Sequence, residues 1–413
     1  MESAREHVRL PTVDEARQAL LDRVEEMAPI ELPLQEATGL VIAHEIQAEV
    51  NVPEFASSRI EGFAVRASDV HGASTGLPAT LTIAGRALAG RAPEGTVGWG
   101  EVIRIAAGGL IPAGSDTVVP LEDAVVEGET VRVLHSWPAG SNIQPAGEDL
   151  RAGTTLIPTG RKLGPPETAL LAASGRMGAL VFPRPRVVVL TTGDGLVDPQ
   201  RAASVGQTRD ATSLTLYAAL KEVGATPYLG GIVPDDIEAL KEALLSHLAT
   251  VDCYLLAGRS AGAGDILRAA LFRRGEVEGL PVGLDSQAPL AIGTFEGKPL
   301  FGLPGDTVEV FTAFEVFVRP ALLKMMGRRD LLRPEVRAEL VAEVAGANER
   351  ARFCRVRVWM ERGRWKAVAT GERSSTRLAA MAGANGLALV PAGRARLRAG
   401  EEARVMVFRP LER

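Results

Sequence analysis

Aromatic residues are scarce in this 413-residue chain, 4% against 46% hydrophobic overall, so its cores must be built from aliphatic side chains. Cysteine is scarcer still. Cys253 and Cys354 lie far apart in strand-like apolar segments without metal-ligand spacing, which excludes a disulfide framework and predicts two buried thiols. The five histidines, His7, His44, His71, His135 and His247, are scattered, and none adjoins a cysteine or a carboxylate cluster. A structural zinc site or a histidine-centred catalyst is therefore disfavoured. No apolar run reaches the roughly 18 to 20 residues that cross a bilayer, and the charged opening "MESAREHVRLPTVDEARQALL" is unlike a signal peptide, so the cytoplasm is the expected location and no membrane partner is expected. The net charge of −5 is spread over interspersed residues of both signs, which leaves no field to attract a polyanion. Nucleic acid is not an expected partner.

What is present changes style along the chain. Residues 13–28, "VDEARQALLDRVEEMA", carry apolar side chains at helical spacing with acids in the first turn, and predict an amphipathic helix. From 51 to 141 short β-rich runs such as "ATLTIAGRAL" and "TVRVLHSW" alternate with Gly and Pro turns, the pattern of a β domain without long helices. "PETALLAASG" reads as a helix stopped by Gly175. From 186 to 327 strands and helices alternate through links of about two to six residues, which argues for repeated crossover units and a mostly parallel sheet covered by helices. Past Gly327 short alternating strands return as a small β domain. Length alone suggests roughly three or four domains. The fold class is thus multidomain, α/β plus β.

In an open parallel sheet, ligands bind beyond the carboxyl ends of the strands, where loops and helix N-termini gather. Three segments qualify: "TTGD" at 191–194, "AGRSAGAGD" at 257–265 and "LPGDT" at 303–307, all expected on one rim. Asp194 and Asp265 beside Gly-rich backbone suit Mg²⁺ or a heterocycle; equally, Asp265 reads as a helix cap and Asp194 as a turn residue. "SAGAGD" is not the lysine-bearing phosphate loop. "GQTRDAT" at 206–212 precedes a helix, with Arg209 and Asp210 read either as a structural pair capped by Thr212 or as ligand groups. "PEFASSRIEGFAV" at 53–65 is a solvated loop or a site loop.

Taken in order, these segments resemble the molybdopterin molybdenumtransferase family, that of MoeA and the gephyrin E domain, over essentially the whole chain. Its "PxFDNSAMDGYAV" resembles 53–65, its "GED…AG…L…G…L" resembles 147–163 and its "TTGDEL" resembles 191–196. Its "GQ…D(S/T)N", "SVGxxD", "LPGNP" and "AN.L..LP" resemble 206–212, 260–265, 303–307 and 384–391. The resemblance implies a discontinuous first domain at 1–46 and 145–182 and a β-rich insertion at 47–144. It also implies an α/β molybdopterin-binding-like domain at 183–328 and a C-terminal β-barrel at 329–413. It implies an elongated homodimer whose cleft lies between subunits. Molybdopterin adenylyltransferase or molybdoenzyme apoproteins are its implied protein partners. The implied reaction takes adenylylated molybdopterin and molybdate, hydrolyses the adenylyl bond with Mg²⁺ to release AMP, and leaves molybdenum on the dithiolene.

Carried over by position, Glu61, Asp149 and Asp252 would be catalytic. Asp194, Asp210, Ser260, Gly262, Pro304 and Gly305 would bind the cofactor, and Asp194 and Asp265 the metal. Against the pattern, Ala56 replaces an Asp, Ala107 a Thr and Gly195 a Glu, while Asp285 and Ala288 stand where two lysines are found. A carboxylate in place of a cation beside an anion turns attraction into repulsion, on the order of one to a few kcal/mol near a surface. The resemblance therefore supports two expectations: a transferase of molybdenum cofactor biosynthesis, or a catalytically impaired relative serving as a dimeric scaffold.

Overall fold

A computed structural model describes residues 10–258, 265–280, 282, 284, 290–371 and 378–410. The chain forms two compact units, Leu32–Ala179 and the joined segments Met1–Glu31 and Leu180–Arg413.

The first unit is built on a six-stranded mixed sheet in the order Thr117–Pro120, Gly62–Val65, Glu101–Ile105, Ala79–Ala87, Thr130–Val133, Ala124–Glu127. Strand side chains alternate between faces, and both faces are covered. Phe63 and Val65 enter a core with Leu81, Val102 and Val119, whereas Ala64 joins Ile103, Ile105 and Val118 on the other side. That is why "GFAV" and "TVVP" are buried throughout instead of alternating with polar residues. Gly62 is required by close approach, since a Cβ there would lie 2.1 Å from the Val119 carbonyl oxygen. The helix Pro165–Ala173 ends as expected, Gly175 taking φ 81° and the Arg176 N–H closing back on the Leu171 carbonyl.

In the second unit a six-stranded sheet has the order Thr226–Val233, Arg186–Thr192, Cys253–Gly258, Lys298–Leu303, Ala291–Phe295, Gly275–Gly279. The first four strands are parallel, while the last two add on antiparallel. The short links predict parallel crossovers, but the link between Ala291–Phe295 and Lys298–Leu303 is only Glu296-Gly297, both at positive φ (49° and 78°). Two residues cannot carry a crossover and instead make a tight hairpin.

One face of the sheet buries Val187, Val189, Leu255 and Phe301 against Leu216, Leu220, Val310 and Phe314. The other buries Val188, Leu190, Leu256 and Leu300 against Leu240, Leu244 and Leu267. The N-terminal helix Val13–Leu21 starts with a capping box, Thr12 and Glu15 satisfying each other's backbone N–H, and puts Ala16 and Leu20 into the first of these cores. Cys253 is fully buried, which pushes its thiol pKa up, whereas Cys354 is only partly buried, short of the expected full burial.

A closed five-stranded barrel follows, in the order Glu335–Leu340, Arg364–Ala369, Arg352–Glu361, Gly386–Val390, Glu402–Val407. Val356, Val358, Ala388, Val390 and Val405 fill it. The buried Asn385 amide accepts from the Val358 N–H at 2.7 Å and donates to the Val358 carbonyl at 2.8 Å, so its polar atoms are satisfied. Among the described residues no helix is long and apolar enough to cross a membrane.

Candidate functional site

Strand register places the rim. Thr192 pairs with Val233 on one side and Gly258 on the other, and Ala257 pairs with Leu303, so four parallel strands end along one edge. Asp194 follows the first of these ends; its Oδ1 accepts from the Asp235 N–H at 3.1 Å, and Asp235 follows the end of Thr226–Val233. Pro304 and Gly305 form the turn after Lys298–Leu303, Pro304 buried and Gly305 exposed. Asp306 then caps the helix Thr307–Ala313, its Oδ1 accepting from the Val308 and Glu309 N–H groups at 2.9 and 3.1 Å. Asp194, Pro304 and Gly305 thus lie beyond strand ends of one edge, and Asp210 bonds the end of the Arg186–Thr192 strand through Thr191.

Asp210 has a different role from the expected ligand contact. It is 3% exposed; its Oδ2 accepts from the Thr191 hydroxyl at 2.7 Å and its Oδ1 from the Ser213 N–H at 3.0 Å. Both oxygens serve the fold, tying the helix Ala211–Val223 to the adjacent strand. Asp210 itself is the helix cap, in place of Thr212, and Arg209 Nε donates to the Arg201 carbonyl instead of pairing with Asp210.

Asp252 is not brought to this rim. It precedes Cys253–Gly258, at the opposite end of the parallel strands, where its carboxylate accepts from the Arg186 N–H, Nε and Nη2 at 2.9, 3.0 and 2.9 Å. A six-residue strand separates the two edges by roughly 20 Å. Burial pushes the Asp252 carboxyl up, but the hydrogen bonds and charge of Arg186, with Lys298 beyond, hold it below the ordinary carboxylate range. A group so engaged, so far from the strand tips, is a structural anchor, and its assignment as catalytic is corrected.

Asp265 opens the helix Asp265–Ala270. Ser260, Gly262, Asp285 and Ala288 lie outside the described residues. Among the described residues no group of three or more His, Cys, Asp or Glu is arranged to hold a metal ion. Mg²⁺ needs no such cage, since it is commonly held by one or two carboxylates together with substrate phosphates and water. Exposed Asp194 and its neighbour Asp235 on adjacent strand ends fit that hard-oxygen requirement. Asp235 escaped the sequence reading, although "PDD" after "GGIV" obeys the same strand-tip rule.

Arg355, on the barrel strand Arg352–Glu361, interacts electrostatically with Asp306. The Arg355 guanidinium is pushed down chiefly by burial and further by the neighbouring Arg352, while Cys354 and the Asp306 carboxylate oppose the shift. Arg355 is therefore close enough to Asp306 for their charges to interact, a cation that no strand-tip rule would find because it comes from another part of the chain.

In the Leu32–Ala179 unit a second set of residues converges. The 53–65 loop is zipped to the turn after Glu101–Ile105: the Gly108 N–H donates to the Ser58 carbonyl at 2.8 Å and the Ile111 N–H to the Ala56 carbonyl at 3.1 Å. Ala56 and Ala107 thus sit on one pair of hydrogen-bonded loops. Glu61 is exposed and pairs with Arg104 at 3.2 Å. The Asp149 N–H donates to the Val52 carbonyl at 3.0 Å, leaving its side chain exposed, and the preceding Glu148 pairs with Arg59.

An α/β sheet with acids at its strand tips, a β-rich unit and a closed barrel define a multidomain protein of the α/β plus β class. Comparison is specific: residues 188–324 match the model of a probable molybdopterin binding domain. Residues 11–175 match the MoeA N-terminal region (domain I and II), and 337–408 the MoeA C-terminal region (domain IV). The chain is 31% identical over 401 residues to molybdopterin molybdenumtransferase 2 of Mycobacterium tuberculosis, covering 95% of this chain and 98% of the relative. It is 30% identical to molybdopterin molybdenumtransferase of Nostoc sp., covering 90% and 86%. The crystal structure of the molybdopterin biosynthesis MoeA protein from Pyrococcus horikoshii superposes with a TM-score of 0.85 at 29% identity, covering 97% of this chain and all of that one. The chain belongs to the molybdopterin molybdenumtransferase family.

Proposed function

We propose that this protein is a transferase of molybdenum cofactor biosynthesis that takes adenylylated molybdopterin and molybdate, releases AMP and leaves molybdenum on the dithiolene. The observation that carries the reading is the set of acids at the described strand ends of the parallel sheet. Asp194 and Asp235 stand at adjacent strand ends, backed by the buried Thr191–Asp210 pair, with Asp306 along the same edge. When bound, Mg²⁺ supplies charge neutralisation at the phosphates and activation of a water; Asp194 and Asp235 would hold it. The aspartate caps, Asp210 buried and Asp306 partly so, keep the rim fixed so that binding energy is not lost in ordering it. Arg355 supplies positive charge toward an anionic ligand. The protein would work in the cytoplasm as a homodimer, receiving substrate from a molybdopterin adenylyltransferase and passing product to molybdoenzyme apoproteins.

A second reading is favoured by a specific observation: Ala56, Ala107 and Gly195 remove an acid, a hydroxyl and another acid from the family pattern. On that reading the protein keeps the shape and acts as a dimeric scaffold. Titration with adenylylated molybdopterin, molybdate and Mg²⁺, followed by chromatography of the products, separates the two. AMP release at a rate dependent on protein and Mg²⁺ supports the transferase; binding without AMP release supports the scaffold.

A further inference from the structure

The hydroxyls of Thr212 and Thr307 lie 2.7 Å apart although 95 residues separate them in the chain. Thr212 is the second residue of the helix Ala211–Val223 and Thr307 the first of Thr307–Ala313. Each helix is capped by its own aspartate, Asp210 and Asp306. These helices follow the strands Arg186–Thr192 and Lys298–Leu303, which are not neighbours: Cys253–Gly258 runs between them. Both helices pack on the same face, through Leu216 and Leu220 from one and Val310 and Ala313 from the other. Two strand spacings are roughly 10 Å, the distance at which helices on a sheet lie side by side. Polar side chains thus mark both helix starts: Thr191 bonds Asp210 at one, Asp306 caps the other, and Thr212 and Thr307 join the two.

We infer that Thr212 and Thr307 are positioning residues: their hydroxyl pair fixes the spacing of the two helix starts that flank the central strand tip, and so the shape of the ligand-binding rim. Apolar packing alone lets two helices slide by a fraction of an ångström. A short directional bond at their first turns stops that slide where it matters for a ligand. A proline at 307, as in the related "LPGNP" turn, has no hydroxyl to offer, so this device is set by the residues of this chain. The inference rests on reading the rim as the molybdopterin site, and its test separates the two.

Thr307→Val, Thr307→Ser, Thr212→Val and the double valine variant are compared by titration with adenylylated molybdopterin and by hydrogen exchange of the Ser213, Val308 and Glu309 amides. Valine keeps the shape and loses the bond, whereas serine keeps the bond. Each valine variant is expected to weaken binding by about fivefold, the loss of one neutral hydrogen bond, and to speed exchange of the three capped amides. Serine is expected to stay within about twofold of the parent, and the double variant to be no worse than either single, because one bond is lost only once. Valine variants that match the parent in both measurements, or losses that multiply in the double variant, overturn the inference. If the parent itself binds no pterin, the reading of the rim fails. The hydrogen-exchange comparison still decides the clasp, faster exchange in valine but not serine upholding it and equal exchange overturning it.

Discussion

The Thr191 hydroxyl donates to the Asp210 carboxylate at 2.7 Å with both side chains shut away from solvent, 1% and 3% exposed. A strand tip and a helix start are thereby locked by a single acid. The other oxygen of that acid caps the helix by accepting from the Ser213 N–H. Asp210→Ala removes the cap, typically about 1 kcal/mol, and leaves a buried hydroxyl without its acceptor, about 1–3 kcal/mol more. Chemical denaturation should show a loss of roughly 2–4 kcal/mol, whereas Asp210→Asn, which retains a cap acceptor, should lose less. A loss under about 0.5 kcal/mol for the alanine variant would contradict the locking role.

The Arg186–Asp252 pair makes the opposite prediction for function. Three hydrogen bonds join the starts of neighbouring strands at the edge away from the rim. Asp252→Asn should cost about 1 kcal/mol, the modest value of a partly exposed pair, and leave affinity for adenylylated molybdopterin unchanged. The folded-state pKa of Asp252 is lowered from its ordinary 3.8, so its stabilising contribution is complete above that value and is lost as pH falls through the lower, folded-state one. Stability curves of parent and Asp252→Asn should therefore differ at neutral pH, begin to approach each other as pH falls below 3.8, and meet only below the lower folded-state value. A binding defect in the variant would return Asp252 to the site.

How far the residues announced this arrangement differs from place to place. The apolar run 187–190 ending in "TTGD" is legible because a strand buried on both faces must be continuously apolar, and because a ligand edge must follow it. Asp252 was carried over from the resemblance by position, although its place just before the apolar run 253–257 already puts it at the amino end of a parallel strand, away from the ligand edge. Asp235 was passed over because "PDDIEAL" reads as a helix start, which it is, Asp236 capping Ile237–Ser246 while Asp235 stands at the rim. The antiparallel edge was hidden in the two residues Glu296-Gly297, too few for a crossover. Arg355 and the Thr212–Thr307 bond are invisible to any local pattern, since each joins segments tens of residues apart.

Gly258 ends the central strand at φ 139°, and a Cβ there would stand 2.3 Å from the Thr192 carbonyl oxygen and 2.4 Å from its hydroxyl. The two strand tips touch because one of them has no side chain. Gly258→Ala forces them apart in a backbone conformation that side chains rarely adopt, and should destabilise by about 2–4 kcal/mol. Thermal unfolding followed by circular dichroism measures it, and a variant as stable as the parent would show that the rim is looser than the geometry states.

Gly195 is the converse case. It follows Asp194, has no positive φ, and a Cβ there would find only the Gly206 carbonyl oxygen, at 3.7 Å, an ordinary contact. The exposed loop therefore has room for a side chain, and Gly195→Glu should change stability by no more than about 0.5 kcal/mol. The new carboxylate would stand next to Asp194 at the edge where the related pattern places an acid. A third carboxylate beside Asp194 and Asp235 should tighten Mg²⁺ binding, by about tenfold for a gain near 1.4 kcal/mol. Isothermal titration with Mg²⁺ in the presence and absence of adenylylated molybdopterin reads this directly. A stable Gly195→Glu variant whose Mg²⁺ affinity is unchanged in both titrations would place the metal away from the Asp194 strand tip.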